Sequence, residues 1–173
     1  VVQGEDAELW LDQMLACKIP KQGRMRLAPM LNETGKLIGD FTLTRLEEEE
    51  FLIIGSGVAE EYHLRWFNEY LDPELDVHVV PQSSTMLGLA IAGPKSRELM
   101  ENVSSYDCSN ENFRFMEMKL MAVGLCECLV GRVSYTGDLG FEIWMEAENQ
   151  RTVFQTLLDA GASLGRGLFG LRA

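Results

Sequence analysis

The sequence predicts an α+β fold, with antiparallel sheets and helices packed on them, and three observations carry that reading. Apolar and polar residues alternate with period two in segments that pair around turn residues, as at 24–31 and 36–46 on either side of Asn32-Glu33-Thr34-Gly35. Other segments place their apolar residues three and four apart, as helices do. The order runs helix, hairpin, strand, helix, two strands, helix, three strands, helix, which intersperses helices with antiparallel pairs.

Each element has its own signal. Residues 5–16 set Ala7, Trp10, Leu11, Met14 and Leu15 at helical spacing, with Gly4 or Asp6 as the start and Pro20 and Gly23 beyond the end. In residues 36–46, Leu37, Gly39, Phe41 and Leu43 share one strand face, and Ile38, Asp40, Thr42 and Thr44 the other. Residues 51–54 form a short apolar strand that stops at Gly55-Ser56-Gly57, a string too short for a dinucleotide fingerprint. Residues 59–71 carry Tyr62, Trp66, Phe67, Tyr70 and Leu71 as a helix closed by Asp72-Pro73. Strands follow at 77–80 and 85–92, then a helix at 96–103. Residues 112–118 are irregular. Residues 118–123 and 126–135 pair around Gly124, and 141–146 returns as a strand after the loop 136–140. The last helix, 149–164, is expected to bury Val153, Phe154, Leu157, Leu158 and Gly161. A lobe boundary is expected near residues 82–85.

Composition narrows the function classes. With 173 residues and 46% hydrophobic content the chain can bury a core. Its 15 basic and 27 acidic residues give a net charge of −12, which disfavours nucleic acid and anionic membranes. The cluster Lys18, Lys21, Arg24 and Arg26 reads as a solvated loop or as a match for an anionic ligand tail. No apolar run approaches the roughly 20 residues of a membrane helix. The four cysteines, Cys17, Cys108, Cys126 and Cys128, form no zinc pattern and read as buried thiols in a reducing compartment. With only His63 and His78, no metal site is expected. The opening at Val1 and the stop after Gly170-Leu171-Arg172-Ala173 suggest a fragment of a longer protein.

Two acids stand out. Asp40 lies within an otherwise apolar strand, where a carboxylate either faces solvent at a sheet edge or serves a cationic substrate or intermediate. Glu142 lies between Phe141 and Ile143, on the opposite strand face from both. It is either simply exposed or grips a ligand edge that offers two N–H donors. The string Leu89-Ala90-Ile91-Ala92-Gly93-Pro94-Lys95-Ser96 reads as a buried strand, a turn and a helix start.

In combination and in this order, MLNETGKLIGDF, LAIAGPKS and RVSYTGDLGFEIW resemble the aminomethyltransferase family, whose type member is the T-protein of the glycine cleavage system. The segments FLIIGSG and YHLRWFNEYL are more similar still to the C-terminal folate domain of dimethylglycine and sarcosine dehydrogenases. The resemblance spans nearly the whole chain, so residues 1–173 read as a truncated aminomethyltransferase-like, folate-binding domain.

That resemblance implies tetrahydrofolate in the central cleft of a three-lobed fold, with Asp40 and Glu142 converging on one pocket. The family's catalytic Asp falls on Asp40, with Gly39 in place of a first Asp and Phe41 in place of a Leu. The pterin-binding Glu falls on Glu142, and Asp138 replaces a loop Glu. Tyr135, Leu52 and Ile54 become cofactor contacts, with Leu52 standing where the T-protein pattern has a Tyr. An Arg-rich helix that touches folate would begin near Arg172. The implied activity is the trapping of a one-carbon unit from an N-methyl amine as 5,10-methylenetetrahydrofolate. FAD is expected only in a fused N-terminal domain, in the mitochondrial matrix of a eukaryote or the cytoplasm of a bacterium. A free T-protein-like aminomethyltransferase is the near variant. A non-catalytic relative such as the iron–sulfur assembly factors would carry Lys-Gly-Cys-Tyr-x-Gly-Gln, which is absent here, and a plain interaction domain would leave both acids solvated.

Overall fold

The hairpin expected from the first alternating segments organises the first half of the chain in the computed structural model, which describes residues 1–170. The chain divides into two compact units, Val1–Ser84 and the residues from Thr85 onward. Each unit builds an antiparallel sheet with helices against it, which is the expected α+β class.

In the first unit, β1 is Val2–Gln3, β2 Met25–Leu31, β3 Leu37–Glu47, β4 Glu50–Ile54 and β5 His78–Val79, in the sheet order β2-β3-β4-β1-β5. The two-residue β1 sits inside the sheet, between β4 and β5, and is too short to show any periodicity in the sequence. Asn32 shapes the β2–β3 turn: its Oδ1 accepts hydrogen bonds from the Thr34 N–H at 3.0 Å and the Lys36 N–H at 2.9 Å. Helix α1, Ala7–Met14, buries Ala7, Trp10 and Leu11, and helix α2, Glu60–Glu69, buries His63 and Phe67. Their apolar faces close over Met30, Phe41, Leu43 and Phe51 from the strands.

Gly39, at the position of the family's first acid, is buried on the core side of β3. A Cβ there would lie 2.4 Å from the Phe41 ring and 3.1 Å from His63 Nε2. The Phe41 and His63 rings meet edge to face with centroids 4.7 Å apart, and His63 Nε2 hydrogen-bonds the Ile38 carbonyl at 3.2 Å. The two aromatic rings thus occupy the space that an aspartate would need.

In the second unit, β6 is Met86–Ala92, β7 Met118–Val123, β8 Cys126–Gly131 and β9 Gly140–Glu146, in the order β6-β9-β8-β7. Helices α3, Ser96–Val103, and α4, Gln150–Gly161, complete a core built on Met100, Phe113, Val130, Phe141, Ile143 and Val153. Three expectations are corrected. The last helix is shorter than residues 149–164, because 3-10 turns at Ala147–Asn149 and Ala162–Leu164 flank it, and Phe154 is exposed instead of buried. Strand β8 stops at Gly131 and does not reach Tyr135. After Gly131 the Arg132 guanidinium turns to the Phe113 carbonyl and Asn110 Oδ1, and the backbone closes a short loop in which the Ser134 hydroxyl donates to the Asp138 carbonyl.

The Gly39 geometry makes a stability prediction. Gly39→Asp is expected to lower the thermal unfolding midpoint, since overpacking alone costs about 1–3 kcal/mol and a buried carboxylate adds to it. An unchanged midpoint would show that the aromatic pair yields freely.

Candidate functional site

Strand alternation sends both acids away from the core of their own unit. Asp40 lies between buried Gly39 and Phe41, and Glu142 between buried Phe141 and Ile143.

Asp40 is exposed and pairs across the sheet with Pro29 on β2. On the other side β4 joins only from Thr42, which pairs with Ile54. Among the described residues no hydrogen bond or ion pair engages the Asp40 carboxylate. Its neighbours on this face are Leu27, 66% exposed, together with Pro29, Thr42 and Ile54, none of them charged. The register places Ile54 and then Leu52 on the same face. Ile54 keeps part of its surface, whereas Leu52 is 2% exposed and offers a ligand almost none.

Glu142 is half-buried at the centre of the second sheet. Its cross-strand partners are small, Ala90 on β6 and Gly131 on β8, so no bulky side chain flanks the carboxylate on either strand. Burial pushes its pKa above the ordinary value, the nearby Trp144 indole N–H opposes that rise, and no cation contributes. The indole is close enough to act on the charge yet falls outside hydrogen-bond geometry, leaving Trp144 Nε1 buried and unpartnered among the described residues.

The loop before β9 is drawn in tightly. A Cβ on Gly140 would meet the Ile91 carbonyl oxygen at 2.5 Å, so only glycine fits there. Tyr135 stands out from this loop at 85% exposure, away from the sheet in which it was expected. Thus Asp40, Ile54 and Leu52 share a face of the first unit, while Glu142 and Tyr135 belong to the second.

The GCVT N-terminal domain profile matches residues 1–173. The chain belongs to this family. As a GCVT N-terminal domain it is 30% identical over 173 residues to mitochondrial dimethylglycine dehydrogenase of Mus musculus, covering 99% of this chain and 20% of that protein. It is 27% identical to the aminomethyltransferase of Clostridium botulinum strain Okra, covering 100% of this chain and 47% of that one. The chain therefore spans about a fifth of the length of the dehydrogenases it matches and about half of the aminomethyltransferases. Among solved structures, the glycine cleavage system aminomethyltransferase T from Bartonella henselae superposes with a TM-score of 0.78 at 24% identity, over 91% of this chain and 42% of that one. A chain of the heterotetrameric sarcosine oxidase from Corynebacterium sp. U-96 gives 0.74 at 16% identity, over 98% of this chain and 81% of that one. Those two likenesses establish the fold.

Other features of this GCVT domain stand apart from the two acids. Arg172 lies outside the described residues. A recess of about 220 Å³ in the first unit is lined by Met14, Leu31, Trp66 and Tyr70 among others, and none of the predicted site residues borders it. Among the described residues no group of three or more His, Cys, Asp and Glu is placed to hold a metal ion, and no helix is long and apolar enough to cross a membrane. Sequence reasoning missed Trp144 and His63. The signals for them were the glycines opposite or beside their rings, Gly88 and Gly39.

The raised pKa of Glu142 has a stability consequence. Burial lets the native state hold this proton to higher pH than the unfolded chain does. Stability is therefore lost as pH rises from near 4.5 through the folded value. Glu142→Gln is expected to be more stable than wild type at pH 7 in urea unfolding, with the difference vanishing below about pH 4. A variant no more stable at pH 7 would mean that the carboxylate is not penalised by burial.

Proposed function

We propose that this domain is the tetrahydrofolate-binding part of a larger enzyme of the dimethylglycine or sarcosine dehydrogenase type, which moves a one-carbon unit from an N-methylated amino acid to give 5,10-methylenetetrahydrofolate. The observation that carries the reading is Glu142, a half-buried carboxylate with small neighbours on both adjacent strands and, among the described residues, no cation contributing to its pKa, in a chain of the GCVT family. An acid kept partly out of water without a partner has unmet capacity to accept hydrogen bonds.

The residues fit the group. When tetrahydrofolate binds, the two oxygens of Glu142 would accept from the N3–H and 2-amino edge of its pterin ring. Ala90 and Gly131, directly across from Glu142, put little side chain beside that carboxylate. Tetrahydrofolate, when bound, supplies the nitrogen nucleophile that receives the one-carbon unit. By the family resemblance Asp40, exposed and without a partner among the described residues, would take the proton released at that nitrogen or steady the cationic one-carbon donor. By the resemblance Tyr135, Leu52 and Ile54 would be further cofactor contacts; Tyr135 is exposed and Ile54 partly so, whereas Leu52 is buried.

A flavin-binding region elsewhere in the full-length protein belongs to this proposal. It is supported by the relatives named as dehydrogenases, of which this chain covers only 20%. The free thiols and the mitochondrial name of those relatives support a reducing compartment, the matrix in a eukaryote or the cytoplasm in a bacterium. The similarity to aminomethyltransferases favours a second reading, a free T-protein-like transferase. A dinucleotide-binding fingerprint upstream of Val1 separates the two.

Two substitutions test the roles in the full-length protein. Glu142→Ala is expected to weaken reduced-folate binding at least about tenfold, since hydrogen bonds to a charged group contribute roughly 1.5–3 kcal/mol each. Unchanged affinity by calorimetry rejects the assignment. Asp40→Ala is expected to keep the native circular dichroism spectrum and to cut methylenetetrahydrofolate formation by about a hundredfold. Product formed at the wild-type rate rejects the role given to Asp40.

A further inference from the structure

Trp144 presents an anomaly that neither the fold nor the proposed activity accounts for. Its Nε1 is buried and has no acceptor among the described residues, although buried donors in folded proteins are almost always partnered. The ring has been given its place deliberately. It lies over Gly88 on β6, directly across the sheet, where a Cβ would come within 2.6 Å of the ring. Trp144 follows Glu142 by two residues on β9, so both side chains stand on the same sheet face.

We infer that Trp144 is a positioning residue for Glu142, its indole N–H being the donor that fixes the direction of the carboxylate presented to the ligand. The inference rests on the ligand-binding role proposed for Glu142. The N–H is buried, so it does not meet the ligand itself. The Glu142 carboxylate, two residues back on the same strand face, is the acceptor next to it. The indole already favours the charged form of the acid against its burial. Other groups on this face do not compete for the role. Gly88 and Ala90 on β6 and Leu129 and Gly131 on β8 are uncharged, and the remaining titratable groups, Glu146 on β9 and Glu127 on β8, are exposed acids. A single neutral donor beside the acid leaves its second set of lone pairs free for an incoming N–H edge.

The sign of the effect follows. Removing the indole N–H removes what favours the charged form, so Glu142 takes up its proton at higher pH. Binding that needs the carboxylate then fails at higher pH. The experiment uses the full-length protein with 5-formyltetrahydrofolate as probe and calorimetry across pH 5 to 8. Trp144→Phe keeps an aromatic ring over Gly88, and benzothienylalanine at position 144 keeps the bicyclic shape and deletes only the N–H. Both are expected to bind more weakly than wild type at pH 8, where the charged carboxylate has lost its orienting donor, and to lose the remaining affinity at a pH higher by about half a unit or more. An equal loss of affinity at every pH with the midpoint unmoved overturns the inference, as does wild-type behaviour in the benzothienyl protein. Glu142→Ala run alongside separates the two levels. If it binds as wild type, the reading of Glu142 itself fails and this inference with it. If it binds weakly while the midpoint of the Trp144 variants stays put, only the role of Trp144 fails.

Discussion

A carboxylate held partly out of water, with no cation contributing to its pKa among the described residues, is the constraint on which the proposed ligand contact depends. A sheet strand can carry an acid on its outer face at little cost when water reaches it. Glu142 does not have that freedom, and burial raises its pKa. The surrounding sequence is arranged to keep the acid there. Phe141 and Ile143 anchor β9 to the core on either side of it. Ala90 and Gly131 keep the adjacent strands low beside it. Gly140 lets the chain enter β9 by the Ile91 carbonyl. A position tuned in this way for packing alone would carry an apolar residue, and a position tuned for solubility would be open to water.

The first unit treats its acid differently. Asp40 is exposed, and the structural investment lies on the other side of the strand. Gly39 admits the His63 ring, which hydrogen-bonds the Ile38 carbonyl, and Phe41 fills the remaining space. The departure of this chain from the family's paired acids is thereby explained in packing terms. An aromatic pair and a helix-borne hydrogen bond hold the segment that leads into Asp40. The Asp40 carboxylate then stands without a like charge at the adjacent position.

Much of this was legible in the sequence because the period-two and period-3.6 signals are strong where one face is buried. The alternation of Gly39, Phe41 and Leu43 against Asp40, Thr42 and Thr44 fixed which way Asp40 points, and the alternation around Glu142 did the same. What the sequence left unread was decided by long-range geometry. The two residues of β1 show no period, yet they occupy an interior position in the first sheet. Residues 132–135 read as continuing strand, but the Arg132 side chain and the Ser134–Asp138 turn take the backbone off the sheet and expose Tyr135. Phe154 has helical spacing with Val153 and Leu157, but it falls just outside the buried stripe of α4. The burial of Trp144 Nε1 and of Leu52 depends on neighbours distant in the chain, which no local pattern encodes.

The most direct test of the account is a crystal structure of the full-length protein with 5-formyltetrahydrofolate bound. The account predicts the 2-amino and N3 edge of the pterin within about 3 Å of the Glu142 carboxylate oxygens. A pterin seated elsewhere, with Glu142 turned to bulk water, would contradict it.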